Sequence, residues 1–236
     1  MSLEIVGALA LAGIAALDAT PVGQTLLSQP LVTASVLGAL WGDWPTAIGV
    51  GVVLQILAAS TLPIGARTPE DYAVGGVVGV TIALMLARDE PFEMARQTGM
   101  LLGCLAGLVS ATIGVPLIKW QRRRNEGLSR WCEAEVAGGN SAALAQANGA
   151  AIVLAFAVGV AFAGLCIAAG WWSLRGLVEH ESVRLARAWS LAHPLWLGLG
   201  VAQLLNAFVQ RRLTRAALFG GSLLVAWLAW MVGTPT

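Results

Sequence analysis

One amide side chain lies in the middle of an apolar stretch of the sequence, where a polar group is uncommon. Gln55 follows Gly51 by one helical turn, so on a helix it would lie over a glycine among apolar neighbours. An amide both donates and accepts hydrogen bonds, which suits a hydroxyl group such as that of a sugar, and it can equally tie two helices together. The sequence leaves both interpretations of Gln55 open.

A polar break follows this apolar stretch. Proline, glycine and charged residues interrupt it between positions 63 and 71, although unpaired polar groups are costly in hydrocarbon. Backbone amides at such a break, with the positive end of the next helix, can bind oxygen-rich ligands, whereas a capped surface loop is the other interpretation. The candidate ligand-binding residues are therefore Gln55, Pro63, Gly65, Ala66, Arg67, Glu70 and Asp71.

Three further residues are expected to have structural or gating roles. Asp43 follows Gly42 and precedes Trp44 and Pro45, which predicts that its carboxylate caps the helix that the proline opens. Asp18 lies near the end of the first apolar segment, where we expect it to be solvated. Gly42, Asp43 and Asp18 are thus assigned to helix ends.

The sequence contains no recognisable catalytic constellation. His180 and His193 are isolated, and Cys104, Cys132 and Cys166 are odd in number and far apart, so neither set has metal-ligand or triad spacing. No glycine-rich phosphate motif or acidic dyad is visible. We expect no catalytic centre, no metal and no cofactor in this chain.

The segments that carry these residues are apolar throughout. Of the 236 residues, 57% are hydrophobic and 11% are charged, which indicates an integral membrane protein in contact with the lipid bilayer. A formal net charge of +1 argues against a nucleic-acid partner, which would need a basic face. The apolar windows fall at 3 to 17, 31 to 41, 45 to 62, 72 to 87, 98 to 118, 149 to 174, 191 to 209 and 216 to 233.

Several of these windows are short for a membrane span. A helix needs about 20 residues to cross roughly 30 Å of hydrocarbon, and 3 to 17 and 31 to 41 do not reach that length. Short helices joined by Gly, Asp and Pro are tolerated where protein or a water-filled cavity satisfies the freed backbone groups. We predict an all-α polytopic membrane helical bundle with discontinuous or re-entrant helices, in a single domain over 1–236.

Two basic clusters predict the orientation. The stretch from Lys119 to Arg130 directly follows a full-length span, so the positive-inside rule places it in the cytoplasm. If 149 to 174 crosses once and 191 to 209 returns, Arg211, Arg212 and Arg215 lie on the same side. The segment between them, from Arg175 to Ala192, is interpreted as an interfacial amphipathic helix.

Six short motifs occur in order within roughly the first third of the chain. They are Asp18, Gln29-Pro30-Leu31-Val32, Leu40-Trp41-Gly42-Asp43, Gly51-Val52-Val53-Leu54-Gln55, Pro63-Ile64-Gly65-Ala66 and Pro69-Glu70. In order and spacing they resemble the N-terminal half of the IIC subunit of mannose/fructose/sorbose-family phosphotransferase systems.

The resemblance implies a multi-pass subunit of the bacterial inner membrane that forms a sugar translocation path with a IID membrane subunit. It further implies soluble IIA and IIB components, which relay phosphate from phosphoenolpyruvate through histidines that IIC lacks, and an oligomeric assembly. A chain without its own catalytic centre is what such a subunit would have.

Three positions depart from the family pattern. Gln55 is an amide where relatives such as mannose permeases have an acid, although other relatives have an amide there. Pro63 stands where mannose-type members tend to have Asn, and Arg67 is a cation where relatives are commonly small and apolar. These departures motivate a second hypothesis, a non-transporting membrane scaffold or sensor of an incomplete phosphotransferase system. The sequence decides neither between the two hypotheses nor which sugar is bound.

Overall fold

The computed structural model describes residues 3–19, 22–23, 25–59, 68–88, 93–209 and 211–233. Within these ranges the chain consists of α-helices and their connections, with no strand, which confirms the predicted all-α bundle. The helices are α1 (Leu3–Ala19), α2 (Pro30–Trp41), α3 (Trp44–Ala59), α4 (Tyr72–Arg88), α5 (Glu93–Ala137), α6 (Ala143–Phe208) and α7 (Arg212–Gly233).

Helix α4 forms the centre of the bundle. All its residues from Tyr72 to Ala87 are buried except Met85, and α1, α2, α3, α5 and α6 pack around it. A helix that is apolar on every side is expected to lie inside a bundle, because no face of it gains from water. Its position explains why the other helices share one core.

Helices α4 and α5 are antiparallel and meet at glycines. Gly75 and Gly79 of α4 lie against Gly107 and Gly103 of α5, respectively. A Cβ placed on Gly103 would lie 2.5 Å from the carbonyl oxygen of Gly79, and one on Gly75 would lie 2.7 Å from that of Gly107. Small residues at every fourth position let two helix backbones approach closely, which is a common way to pack helices in membranes.

Helices α2 and α3 form an antiparallel hairpin closed by a glycine. Gly42 ends α2 with φ 72, a left-handed conformation that glycine adopts without steric cost. The two helices contain 12 and 16 residues, so they are about 18 and 24 Å long, shorter than the roughly 30 Å of hydrocarbon. This agrees with the discontinuous helices predicted from the sequence.

The boundaries predicted in the C-terminal half are wrong. Helix α5 continues beyond position 118 to Ala137. The windows 149 to 174 and 191 to 209 correspond to the two parts of α6, which both extend further, up to a kink that separates them. The segment predicted as interfacial lies around the kink in α6. Its buried residues Val178, Ala186 and Trp189 pack on the bundle, whereas Leu177, Val183 and Leu191 are exposed.

A kink at Glu181, where φ is −127 and ψ is 17, turns α6 back on itself. Directly after it, the carbonyl of Ser182 accepts a hydrogen bond of 3.0 Å from the hydroxyl of Thr98, near the start of α5. Farther along, Gly200 contacts Ile56, near the end of α3. Helices α3 and α5 run in the same direction, so the part of α6 after the kink runs back toward the end of the bundle where α6 began.

Candidate functional site

The candidate residues lie at two different ends of the bundle. The backbone N–H of Asp71 donates to the carbonyl of Ala111 at 2.9 Å, whereas the carboxylate of Asp43 lies 3.8 Å from Nε of Arg96. Both partners belong to α5, and the helical rise between positions 96 and 111 is about 22 Å. Asp43 and Asp71 therefore cannot share one binding site in this conformation.

We call the end that carries Asp71 the basic end. Arg122, from the basic stretch of α5, donates there to Oγ1 of Thr68 at 3.3 Å. The start of α2 lies at the same end, because Pro30 packs on Gly76 in the first turns of α4. The turn of Gly42 and Asp43 lies at the other end. Four candidates lie at the basic end: Asp18, Gln55, Glu70 and Asp71.

Gln55 joins the last turns of α3 to the first turn of α2. Its Oε1 accepts a hydrogen bond of 3.2 Å from the N–H of Leu31, and its Nε2 donates to Oε1 of Gln29 at 2.7 Å. The first N–H groups of a helix have no partner within it, and the N-cap residue Gln29 makes no side-chain capping bond of its own. Gln55 therefore caps α2 from a neighbouring helix, as expected if its amide ties two helices together. The binding of a ligand by Gln55 stays a prediction.

Gln29 is a site residue that sequence reasoning missed. It is half-buried like Gln55, and the two amides form a pair directly beside Pro30. A polar residue before a proline at a helix start is ordinary, so only the tertiary contact reveals it. The one signal in the sequence was its place in the motif Gln29-Pro30-Leu31-Val32.

Asp71 caps the first turn of α4. Its Oδ1 accepts a hydrogen bond of 3.2 Å from the N–H of Val74, and its side chain packs against Gly114 of α5. The same side chain lines a cavity of about 20 Å³ together with Gln121 and Phe162, which is room for one water molecule. Asp71 thus faces α5 and α6, whereas Gln55 faces α2, and the described contacts do not bring the two together.

Asp18 organises the connection between α1 and α2. Its Oδ1 accepts from both the N–H and the hydroxyl of Thr25, the latter at 2.8 Å, and its Oδ2 accepts from the N–H of Ser28 at 2.8 Å. The residue is 4% exposed, so the expectation that Asp18 is solvated is wrong. Its burial is possible because three donors satisfy the carboxylate, and the same bonds hold a loop in which Leu26 has φ 74.

Asp43 caps α3 at the opposite end. Its Oδ1 accepts from the N–H of Thr46 at 3.2 Å, and its Oδ2 accepts from the hydroxyl of Thr46 at 2.6 Å. These are the contacts expected of an N-cap carboxylate. A gating role for Asp43 or Gly42 stays a prediction.

The rest of the predicted break falls outside the described residues. Pro63, Gly65, Ala66 and Arg67 all lie there, between Ala59 and Thr68, so their predicted ligand contacts remain predictions. Glu70 borders this gap, and its carbonyl accepts from the N–H of Tyr72 at 3.0 Å. In the ranges that the structure does describe, no group of three or more His, Cys, Asp or Glu could hold a metal ion.

The fold defines a membrane protein of the helical-bundle class, with polar side chains at helix ends. Within the described ranges two helices are long and apolar enough to cross a membrane, Met94–Ala137 and Ala143–Gln203. The family model described as "PTS system sorbose-specific iic component" (EII-Sor) matches residues 3–233. The chain belongs to this family, and it is a membrane permease component of sugar transport by a phosphotransferase system.

Two solved structures are similar to the chain. One, described as "Structure of membrane protein", has a TM-score of 0.67 at 18% sequence identity and covers 97% of this chain and 96% of that chain, which shows a shared fold. Another, "CryoEM Structure of Mannose Transporter ManYZ and Microcin E492 (MceA) complex", has a TM-score of 0.49 at 17% identity and covers 97% and 95%. No match was found among curated protein sequences.

Proposed function

We propose that this chain is the sugar-conducting IIC subunit of a phosphoenolpyruvate-dependent phosphotransferase system, and that it forms the translocation path with a IID subunit. Family membership over residues 3–233 supports the system. The contact that carries the proposal is the amide pair of Gln29 and Gln55 at the start of α2.

The amide pair is suited to a hydroxyl-rich ligand. Both side chains are half-buried, so a small polar molecule can reach them without unfolding the bundle. A sugar hydroxyl both donates and accepts, so it can insert between the two amides, accept from Nε2 of Gln55 and donate to Oε1 of Gln29, and leave neither group unpaired. We propose further ligand contacts from Pro63, Gly65, Ala66 and Arg67, which lie outside the described residues.

We propose that the basic end faces the cytoplasm of a bacterial inner-membrane protein with several crossings. Arg122 lies beside Thr68 at that end, and Arg211 follows the part of α6 that runs back toward the end of α3. Two basic clusters at one end of the bundle agree with the positive-inside rule. Soluble IIA and IIB components would then meet the emerging sugar at this end of an oligomeric assembly.

One observation favours a second candidate function, a non-transporting scaffold or sensor. Gln55 already has an acceptor in Gln29 and a donor in the N–H of Leu31, so its amide is satisfied without a ligand. A bundle that needs Gln55 only for packing would retain it without carrying sugar.

The test is uptake by the assembled system. The chain would be co-expressed with IIA, IIB and IID subunits of a mannose/sorbose-family system, and phosphoenolpyruvate-dependent accumulation of a panel of labelled hexoses and ketohexoses would be measured. We expect Gln55→Leu to lower uptake by about tenfold or more, equal to roughly 1.4 kcal/mol, at unchanged membrane amounts. Gln146→Leu, which changes an exposed amide near the start of α6, is the matched control and should transport like wild type.

The two candidate functions separate in this assay. Unchanged uptake after Gln55→Leu would rule out the amide site, whereas a wild-type complex that accumulates none of the sugars but still retains a IIB-like protein on the membrane supports the scaffold.

A further inference from the structure

The second part of α6 and helix α7 border an open groove of about 770 Å³. Its walls are mainly apolar, with Leu197 and Leu205 on one side and Leu218 and Phe219 on the other, and Gln203 and Ser222 also line it. These side chains are poorly covered, since Phe219 is 70% exposed and Leu205 is 42% exposed. Contiguous exposed apolar surface of this kind marks a place where another molecule packs.

Positive charge lies at one end of this groove. Arg215 lines it from the first turns of α7; Arg212 is the first residue of that helix, and Arg211 directly precedes it. All three side chains are exposed.

The charge and the apolar walls are arranged in a definite order. Arg215 lies near the turn at the basic end, and the apolar walls extend from it along α7 through Leu218 and Phe219. A molecule that fits this order has an anionic head at the membrane surface and a hydrocarbon chain that points into the bilayer. Basic residues at the edge of grooves between membrane helices bind anionic lipid headgroups in this way.

We propose that this groove binds one anionic phospholipid, with its phosphate at Arg215 and an acyl chain between α6 and α7. The inference is independent of the sugar site, because the groove is built from the C-terminal helices and contains none of the sugar-site candidates.

The charge of the site is tested with two lipids of equal chain length. The purified full chain in a neutral detergent would be titrated with phosphatidylglycerol or phosphatidylcholine, and bound lipid would be counted by native mass spectrometry. We expect about fivefold tighter binding of phosphatidylglycerol, since one arginine near a lipid surface contributes about that factor. Arg215→Gln should remove this preference and Arg215→Lys should keep most of it, while Arg187→Gln, an exposed arginine of α6 outside the groove, should leave it unchanged.

The shape of the site is tested with two glycines. Gly198 lines the groove, and a Cβ on it would meet nothing within 4 Å, so Gly198→Leu fills the groove without straining the helix. We expect this variant to lose binding of both lipids by fivefold or more. Gly220→Leu has equally open surroundings but lies outside the groove lining, and it should bind lipid like wild type.

Three results with the chain alone, and one with its partner subunit, would overturn the proposal. The first three are equal binding of the two lipids by wild type, unchanged phosphatidylglycerol binding in Gly198→Leu, and displacement of the lipid by millimolar inorganic phosphate, which would make this an anion site. If addition of the second membrane subunit expels the phosphatidylglycerol, the groove is a protein contact and the lipid assignment is wrong.

Discussion

The side chains of Gln55 and Gln29 share a hydrogen bond of 2.7 Å, and the same Gln55 amide accepts from the N–H of Leu31. Two residues that are far apart in sequence thereby hold the start of α2 against the end of α3, at the basic end of the bundle. Because the bond is interhelical, it has a measurable coupling energy whether or not a sugar binds there.

A double-mutant cycle measures that coupling. We expect Gln29→Leu and Gln55→Leu to be non-additive in the free energy of unfolding by about 0.5–1.5 kcal/mol, with Gln55→Leu the more costly because it also leaves the Leu31 N–H unpaired. Equilibrium unfolding in mixed micelles gives the four values. Strict additivity would mean that the two amides do not interact in the folded protein.

The close approach of α4 and α5 predicts opposite effects of one substitution at two sites on α5. Gly103→Ala places a Cβ 2.5 Å from the carbonyl oxygen of Gly79, so we expect a loss of about 1–3 kcal/mol. Gly127→Ala meets nothing within 4 Å and should stabilise the helix by about 0.5–1 kcal/mol. The midpoint of thermal unfolding in detergent decides, and shifts of the same sign would contradict the packing.

The cap of α3 predicts a difference between two substitutions of Asp43. Asp43→Ala removes the acceptor of the Thr46 N–H and should cost about 0.5–2 kcal/mol, whereas Asp43→Asn keeps an acceptor there. The ion pair with Arg96 is partly exposed, so its loss in Asp43→Asn should cost at most about 1 kcal/mol. Thermal unfolding in detergent measures both. If Asp43→Asn is as unstable as Asp43→Ala, the charge and not the cap is what matters.

The buried hydroxyl of Thr98 predicts how the kink in α6 is held. Thr98→Val keeps the shape but leaves the Ser182 carbonyl without its donor, so we expect a loss of about 1–2 kcal/mol. Thr112→Val is the control, because that exposed hydroxyl bonds only the carbonyl of Leu108 in its own helix. Limited proteolysis near Glu181 should rise in Thr98→Val alone, and equal cleavage of both variants would argue against this anchor.

Most of the helices could be predicted from hydropathy because their ends carry charge or glycine. The window 72 to 87 matches α4 almost residue for residue, since Asp71 precedes it and Arg88 ends it. The extension of both parts of α6 up to the kink could not be predicted, because the segment around the kink contains several charges and looks like a surface segment. What keeps that segment in the bundle is the burial of Val178 and Trp189 against other helices, which no local pattern records.

The candidate site was predictable in part for a similar reason. Gln55 was detectable because an amide inside an apolar stretch is unusual, and Asp43 because Gly-Asp before a proline is a local capping pattern. Gln29 and the burial of Asp18 depend on contacts across a loop, Asp18 with Thr25 and Ser28, and Gln29 with Gln55. Polar residues of that loop look the same in sequence whether they are solvated or bonded.

The kink at Glu181 changes the number of membrane crossings that α6 can make. A helix that reverses direction part-way counts as two membrane crossings. The side of the membrane on which a position lies therefore cannot be obtained by counting helices. If both parts of α6 cross the membrane, we expect residues 140 and 211 to face the same compartment and His180 to face the other. Reporter fusions should place positions 140 and 211 on one side of the membrane and position 180 on the other. A straight helix would instead place positions 140 and 211 on opposite sides.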